Sequence, residues 1–153
     1  MEEIFCFMEQ IGGKEMTGTY EHSIDAAGRL IVPSKLRDKL GAAFYLAVGV
    51  KENLTLYPME TWDKLRARVS ELSTTDAAAM DLFFASAQLC EVDKQWRFQI
   101  PSYLKDYAKI DKDVVVTGNN DRAQIWSAEN WKAKTRQQLN PETIANLMKN
   151  LGI

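Results

Sequence analysis

The sequence has few of the residues that build disulfide frameworks, metal centres or hydrolytic active sites. Its 153 residues include two cysteines, one histidine and four prolines. Cys6 and Cys90 are too few for a disulfide framework and lie at no metal-ligand spacing. Cys90 sits among apolar residues and is expected to be a buried, inert thiol. His22 has no nucleophile or metal partner in the sequence, so it is expected to be exposed or hydrogen-bonded on an alternating strand.

Long apolar runs and a basic N-terminus are also absent. The longest uncharged stretch, residues 40–50, is about half the length that a membrane helix needs. Residues 1–15 carry four glutamates against one lysine, whereas a secretory signal begins with basic residues and continues into a longer apolar segment. We therefore expect a cytoplasmic chain that is not associated with a membrane.

The motifs of common enzyme classes are missing as well. The sequence contains no Gly-rich phosphate loop, no Ser nucleophile elbow and no Cys/His cluster. The carboxylates of Asp111 and Asp113 are expected in a solvated turn. We therefore expect no enzymatic activity, no cofactor and no metal; a deep polar pocket would reopen the question of catalysis.

What the chain does contain is an internal duplication. Residues 24–38 match residues 92–106 at an offset of 68, with Asp, Arg, Pro, Ser, Leu and Asp recurring in register. Further along, the offset becomes 69, where Trp62 matches Trp131 and Glu60 matches Glu129. A register shared over about 40 positions indicates two copies of one structural unit.

Each copy has the same predicted layout. An alternating strand enters an Asp-x-x-x-Arg turn and leaves as a short strand, which ends at Pro33 or Pro101 because proline cannot donate to a sheet ladder. Ser34 and Ser102 are expected to cap short helices. The remaining predicted elements are helices 35–40 and 103–109, a left-handed stop at Gly41, hairpins 44–50 with 54–57 and 114–117 with 123–126, and closing helices from Pro58 and Ser127 that turn Trp62 and Trp131 inward.

Two further helices are predicted outside the copies. One begins near Thr74, between the copies, and runs into the apolar residues Phe83 and Phe84. The other begins at Asn140 and presents an apolar stripe of Ile144, Leu147, Met148 and Leu151. The stripe at the C-terminus is compatible with core packing and equally with a subunit interface.

The Asp-x-x-x-Arg turn has two readings. Asp25 can accept backbone N–H groups within the turn, and Gly28 can take the left-handed conformation that a reversal requires. Arg29 then either forms a turn-stabilising ion pair, worth at most about 1 kcal/mol when exposed, or contacts a phosphate or a base. The motif alone favours the ion pair.

Charge distribution shifts that balance towards nucleic acid. Residues 25–40 hold four basic and two acidic side chains, and residues 93–109 hold the same numbers, so each segment has a net charge of +2. The overall charge of -2 is a sum of unlike regions, because residues 1–15 alone contribute -3. Two similar basic surfaces suit a repetitive polyanion.

The motifs resemble those of the MraZ family of bacterial transcriptional regulators. The resemblance covers residues 18–131, nearly all of the two copies. The segments that carry it are Tyr20-x-His22-Ser23-Ile24-Asp25-x-x-Gly28-Arg29-Leu30-Ile31-Val32-Pro33, Leu54-x-Leu56-Tyr57-Pro58, Phe83-Phe84, Asp93-x-x-x-Arg97 and Ile125-Trp126-Ser127.

This resemblance implies an α+β fold of two intertwined SpoVT/AbrB-like repeats that form a swapped-hairpin β-barrel with flanking helices. The implied organisation is an N-terminal extension (1–17), a first repeat (18–73), a connecting helix (74–87), a second repeat (88–135) and a C-terminal helix (136–153), with both repeats in one structural domain. It further implies a cytoplasmic, nucleoid-associated DNA-binding protein, usually a repressor of the division and cell-wall gene cluster. Its partners would be short repeated sites on double-stranded DNA and further copies of itself in a ring.

The resemblance also implies which residues bind DNA. Arg29 is the first choice for DNA contact, and Arg97 is its counterpart. Asp25, Gly28 and Asp93 would shape the turns. The expected phosphate partners are Lys35, Arg37, Lys94 and Lys105.

Two positions depart from the family pattern. Ala27 stands where lysine is common, which removes one charge from the first turn. Trp96 stands where glycine is usual, and because a tryptophan enters the left-handed region at a cost, the second turn is expected to differ from the first. We expect Trp96 to be a buried anchor or an interface residue, and rank both roles above that of a platform for stacking bases. The alternative to a DNA-binding protein is an assembly module whose basic loops are incidental.

Overall fold

A computed structural model describes residues 15–153 as a mixed α+β fold built around antiparallel sheet. Cys6 and nearly all of the predicted N-terminal extension lie outside the described residues. The strands are β1 (Thr19–Ser23), β2 (Arg29–Ile31), β3 (Ala43–Val48), β4 (Leu54–Pro58), β5 (Gln88–Glu91), β6 (Arg97–Gln99), β7 (Asp113–Asn119) and β8 (Arg122–Ser127). The helices are α1 (Arg37–Leu40), α2 (Met59–Ser70), α3 (Thr74–Ala79), α4 (Asp81–Ser86), α5 (Ser102–Tyr107), α6 (Ala128–Gln138) and α7 (Pro141–Asn150), with a 3₁₀ turn at Ser34–Leu36 before α1.

The strand pairing interleaves the two copies. Six strands form one sheet in the order β1-β7-β8-β4-β3-β5, and β2 with β6 forms a separate two-stranded ribbon. The first strand of the first copy pairs with β7 of the second copy, and β5 of the second copy pairs with β3 of the first. Among the described residues β1 and β5 are the sheet's edges, so these pairings leave it open.

The main core lies between this sheet and the ribbon. Leu30 and Phe98, at the centre of the ribbon, are buried, and Phe98 meets Phe44 of β3 edge to face with ring centroids 5.0 Å apart. Met16 is also fully buried. Cys90 is buried, as predicted. Burial raises the pKa of its thiol to about 12, which disfavours the thiolate, the reactive form.

A second, aromatic cluster covers the outer side of β3 and β4. Trp62 of α2 is buried there and stacks on Tyr45, with ring centroids 4.4 Å apart and an interplanar angle of 12°. Phe83 and Phe84 of α4 pack against the same indole at 5.9 Å and 5.6 Å. This cluster attaches α2 and the two connector helices, α3 and α4, to the sheet.

The predicted serine caps are wrong. Ser34 and Ser102 begin helical turns, and neither side chain accepts a capping hydrogen bond. Pro33 and Pro101 occupy the cap position with extended backbone, so each serine lies one residue too late to receive the orphan N–H groups. Asn140 caps α7 as predicted, accepting the Thr143 N–H at 2.9 Å.

Candidate functional site

The Asp25 carboxylate organises the first turn. Its Oδ1 accepts the backbone N–H groups of Ala27 and Arg29 at 3.0 Å and 2.8 Å, and its Oδ2 accepts Nε–H of Arg29 at 2.9 Å. Two backbone bonds close the loop, from Asp25 N–H to the Arg29 carbonyl and from Gly28 N–H to the Asp25 carbonyl. The predicted ion pair is therefore present, on a turn whose shape the same carboxylate fixes.

The second turn repeats this arrangement. Asp93 Oδ1 accepts the N–H groups of Gln95 and Arg97, and Oδ2 accepts Arg97 Nε–H, all at 2.9 Å. The two closing backbone bonds recur between Asp93 and Arg97 and between Trp96 and Asp93. The two copies thus present the same turn twice.

The expectation that Trp96 changes the second turn is wrong. Gly28 has φ +82° and Trp96 has φ +60°, so both occupy the left-handed region. A non-glycine residue there costs about 1–2 kcal/mol. The half-buried indole packs against the main core, and the Arg37 guanidinium lies 5.4 Å from the ring centroid. These contacts, with the bonds to Asp93, offset the cost; Trp96 is a packing anchor.

Hydrogen bonding favours the charged form of both turn aspartates. The backbone N–H of Arg29 lowers the pKa of Asp25 below its ordinary 3.8, and the Arg29 guanidinium adds to the effect. The backbone N–H of Arg97 lowers the pKa of Asp93 in the same way. Both carboxylates therefore stay ionised and keep their arginines in place across the physiological pH range.

The ribbon brings the two arginines onto one face. In its register Arg29 lies opposite Gln99, Leu30 opposite Phe98, and Ile31 opposite Arg97. Since side chains alternate along a strand and the central pair is buried, the other four residues share the outward face. The sequence placed each arginine at the end of its own turn; only the pairing of β2 with β6 shows that they share a surface.

Each of these arginines keeps donors free. Among the described residues, the only side-chain donor that Arg29 or Arg97 uses is Nε, so the terminal amino groups remain available to an anion. The Arg29 side chain is 37% exposed and that of Arg97 is 26% exposed. A guanidinium anchored at Nε is a positioned donor for phosphate or for a base edge.

The other predicted basic residues differ in exposure. Lys35, in the 3₁₀ turn, and Lys94, in the second turn, are exposed. Lys105 on α5 is half-buried. Arg37 is also half-buried and donates from Nε to the Val32 carbonyl at 3.1 Å while it covers Trp96, so it braces the second turn as well as carrying charge.

Two residues of the ribbon face were missed at the sequence level. Ile31 is 40% exposed despite being apolar, and Gln99 is exposed and donates from Nε2 to the Ala27 carbonyl at 2.7 Å. The alternation around Leu30 and Phe98 was the available signal, since it predicts that their sequence neighbours face outward.

A polar cavity of about 340 Å³ lies beside β1 and α6 and contains the histidine. His22, Ser23, Asp113 and Lys132 are among its lining residues. Burial, and then the charge of Arg37, lowers the pKa of His22. Ser23 donates to Asp113 Oδ1 at 2.9 Å. Within the described residues, no hydrogen bond joins His22 to Ser23 or to Asp113.

Residues 15–153 hold no group of three or more His, Cys, Asp or Glu placed to bind a metal ion. None of the helices in this range is both long enough and apolar enough to cross a membrane.

The turn carboxylates predict a pH dependence of stability. A group with a lowered folded pKa stabilises the fold above its ordinary pKa, and that contribution is lost as the pH falls through the folded value. We expect the midpoint temperature of wild-type unfolding to decrease when the pH is lowered below about 4. Asp25→Asn and Asp93→Asn keep an oxygen for the backbone N–H groups but lose the charge, so each variant should melt lower than wild type at pH 7 and converge with it at low pH.

Thermal unfolding followed by circular dichroism from pH 7 to about pH 2 measures this effect. Asp63→Asn on the exposed side of α2 is the matched control and should run parallel to wild type. Parallel curves for the two turn variants would show that the turn carboxylates contribute no pH-dependent stability.

Comparison with known proteins identifies two matching segments. A family model described as "MraZ protein, putative antitoxin-like" matches residues 16–82 and again residues 83–150. Each match contains one Asp-to-Arg turn, so the comparison confirms the internal duplication.

Curated relatives match most of the chain. A protein of Lactiplantibacillus plantarum named "Transcriptional regulator MraZ" is 44% identical over 132 residues, which cover 84% of this chain and 90% of that protein. Proteins of the same name from Thermoanaerobacter sp. and Clostridium tetani are 42% and 41% identical, covering 90% and 89% of this chain and 99% and 98% of theirs.

Proposed function

The chain belongs to the MraZ family of transcriptional regulators, and we propose that it binds double-stranded DNA through the outward face of the β2–β6 ribbon and the two turns beside it. The observation that carries this proposal is the pair of Arg29 and Arg97, each anchored by an aspartate and both on one face. Family resemblance supports the finer statement, which is repression of the division and cell-wall gene cluster from short repeated sites, in the cytoplasm and at the nucleoid.

The dimensions of the ribbon suit this role. Three residue pairs span about 7–10 Å along the strands, and the strands lie about 4.8 Å apart. The major groove of B-DNA is about 12 Å wide and admits a two-stranded ribbon. Arg29 and Arg97 would then reach base edges or phosphates, while Gly28 and Trp96 keep the turns in shape.

The flanking basic residues would bind the phosphate backbone. Lys35 and Lys94 are exposed and free to follow phosphates on either side of the groove. Arg37 and Lys105 would add charge from partly buried positions. Contacts of this kind supply affinity and register but carry no sequence information.

The interleaved pairing supports a swapped-hairpin architecture for the two repeats. Each turn is bonded to the strand of the other copy, because Val32 N–H donates to the Trp96 carbonyl at 2.8 Å and Ile100 N–H donates to the Gly28 carbonyl at 3.0 Å. Backbone hydrogen bonds therefore join the two halves at both turns. This arrangement would present both turns as one rigid unit to DNA.

The assay that tests DNA binding is a gel shift with DNA from upstream of the protein's own gene at 50 mM and 200 mM salt. Specific retention against unrelated competitor DNA, weakening at the higher salt, is expected. The alternative of an assembly module predicts no retention at moderate salt while copies of the chain still associate.

Self-association would make this binding tight. A few phosphate contacts per chain give dissociation constants of about 10⁻⁴ to 10⁻⁶ M for non-specific encounters. Linking several copies on repeated sites raises affinity by a factor on the order of 10² to 10⁴. A weakly charged protomer is therefore compatible with tight binding when it acts in an oligomer.

Two unlike apolar surfaces support a ring. Helix α7 exposes its stripe of Ile144, Leu147, Met148 and Leu151 to solvent. A groove of about 500 Å³ between α2 and the connector helices is lined in part by Tyr45, Trp62 and Phe84, with Arg66 and Asp81 also bordering it. Glu142 and Lys149 on α7 complement those two charges. A helix of one copy in the groove of the next is a heterologous contact, which forms a ring when the rotation from copy to copy closes.

Charges placed in the stripe should therefore dissociate the oligomer. Leu147→Glu combined with Leu151→Glu puts two carboxylates into an apolar contact, which is strongly unfavourable. Light scattering coupled to size exclusion should show a marked loss of mass. Val50→Glu, at a residue that is 96% exposed in the β3–β4 turn, is the control and should assemble normally. An unchanged mass for the double variant would exclude α7 from the interface.

A further inference from the structure

We infer that Ile31 and Gln99 are specificity-determining residues that make the DNA site of one protomer non-palindromic, an inference that rests on the proposed function. The repeat relates Arg29 to Arg97 and Ile31 to Gln99. In the ribbon each arginine lies beside a different partner, so that one end of the face holds Arg29 with Gln99 and the other holds Arg97 with Ile31.

The backbone at the two ends is equivalent. Both turns have the same aspartate bonds, and each has a left-handed residue at the equivalent position, Gly28 or Trp96. With identical arginines on equivalent backbones, the face alone would read the same sequence from either direction, as a two-fold symmetric dimer reads a palindrome. The difference between Ile31 and Gln99 removes that equivalence on the outward face.

Ile31 offers only apolar contact. It is 40% exposed, lies opposite Arg97 and follows the buried Leu30. In the major groove the apolar group that a side chain meets is the methyl group of thymine. We therefore assign Ile31 to a thymine next to the base that Arg97 contacts.

Gln99 offers a held amide. Its Nε2 donates to the Ala27 carbonyl at 2.7 Å, which leaves its second N–H and its carbonyl oxygen available. Gly28 makes this position possible, because a Cβ there would lie 2.7 Å from Nε2. A glutamine amide pairs with the N6 and N7 edge of adenine. Gln99 is therefore assigned to an adenine next to the base that Arg29 contacts.

Selection of binding sites from a randomised duplex library tests this assignment with the full chain. The wild type should select a core with unlike halves. Gln99→Ile makes both ends Arg with Ile and should select a palindromic core that repeats one half of the wild-type core. Ile31→Gln should lose the preference for thymine at the Arg97 end without gaining the adenine preference. Trp96 has a Cβ where Gly28 has none, so the new amide cannot be held in the same way. Relative affinity for the unlike core should fall on the order of tenfold in each variant.

Three controls keep the outcome interpretable. Lys94→Ala should weaken all DNA and lower the salt dependence without changing the selected core. Circular dichroism and thermal unfolding check that both ribbon variants fold, and the two variants alter opposite ends. If the wild type selects a core and both variants select the same unlike core, this inference is overturned while the proposed function stands. If the wild type selects no core at all, the proposed function fails first.

Discussion

Arg29→Ala is expected to abolish binding to the DNA upstream of the protein's own gene while the protein stays folded and assembled. The substitution removes a positioned guanidinium from the ribbon face, a loss of about 1–3 kcal/mol for each base contact. In an oligomer that occupies repeated sites, the loss recurs in every protomer. With three protomers on the DNA the combined loss is about 3 kcal/mol even at the low end of that range, which corresponds to more than about 100-fold in affinity.

The fold should survive because the turn does not depend on the Arg29 side chain. Asp25 Oδ1 is bonded to the backbone N–H groups of Ala27 and Arg29, which alanine retains. The lost ion pair is partly exposed and contributes at most about 1 kcal/mol. Arg97→Ala should behave in the same way, since the second turn has the same bonds.

Arg122→Ala is the matched control for this experiment. Arg122 also donates from Nε to an aspartate, Asp121, at 2.9 Å, and its side chain is 39% exposed, but it begins β8, which belongs to the six-stranded sheet and not to the ribbon. The control changes net charge by the same amount and should bind DNA nearly as well as wild type. Equal retention by Arg29→Ala and wild type would show that the turns do not contact DNA. Equal losses of DNA affinity in both variants would show that the effect comes only from the change in net charge.

Trp62→Ala should produce the largest loss of stability. The indole is 3% exposed and contacts Tyr45, Tyr57, Phe83 and Phe84. Truncating a buried tryptophan costs about 3–5 kcal/mol, which is a large fraction of the 5–15 kcal/mol typical of a domain. The cavity would free α2 and the connector helices from the sheet.

The internal repeat supplies the comparison for this variant. Trp131 is the counterpart of Trp62 but is half-buried, with Trp126 as its aromatic neighbour at 5.9 Å. Trp131→Ala should therefore cost about 1–2 kcal/mol, in proportion to the smaller area it buries. Urea unfolding followed by circular dichroism measures both. Equal losses at the two positions would mean that burial in the single chain does not set their contributions.

Local interactions made the turns predictable. Asp25 and Arg29 lie four residues apart, and every bond that the Asp25 side chain accepts falls within that span. The same holds for the Asn140 cap. The prediction of serine caps was wrong because the prolines before the serines already supply extended backbone at the cap position. Propensity alone does not decide which of two neighbouring residues becomes the cap.

Non-local packing decided the rest. The preference of tryptophan against positive φ was overridden by the core and by Arg37, which comes from the other copy. The pairing of β2 with β6 joins residues 66–70 positions apart in the chain, and no local pattern selects that partner. For this reason Arg29 and Arg97 were predicted separately, whereas Ile31 and Gln99 were not predicted at all.

The interleaving of the two copies also delays folding during synthesis. Within residues 15–153, strand β1 pairs only with β7, and Ser23 and Asp113, which face each other there, are 90 residues apart. At 5–20 residues per second, a ribosome needs about 5–18 s to add that length. Throughout this interval β1 lacks its partner, and β2 lacks its own until β6 has been made, so the apolar strands of the first copy stay exposed to other nascent chains. A chain that pairs with a neighbour's second copy instead of its own would yield an exchanged dimer with every native bond in place.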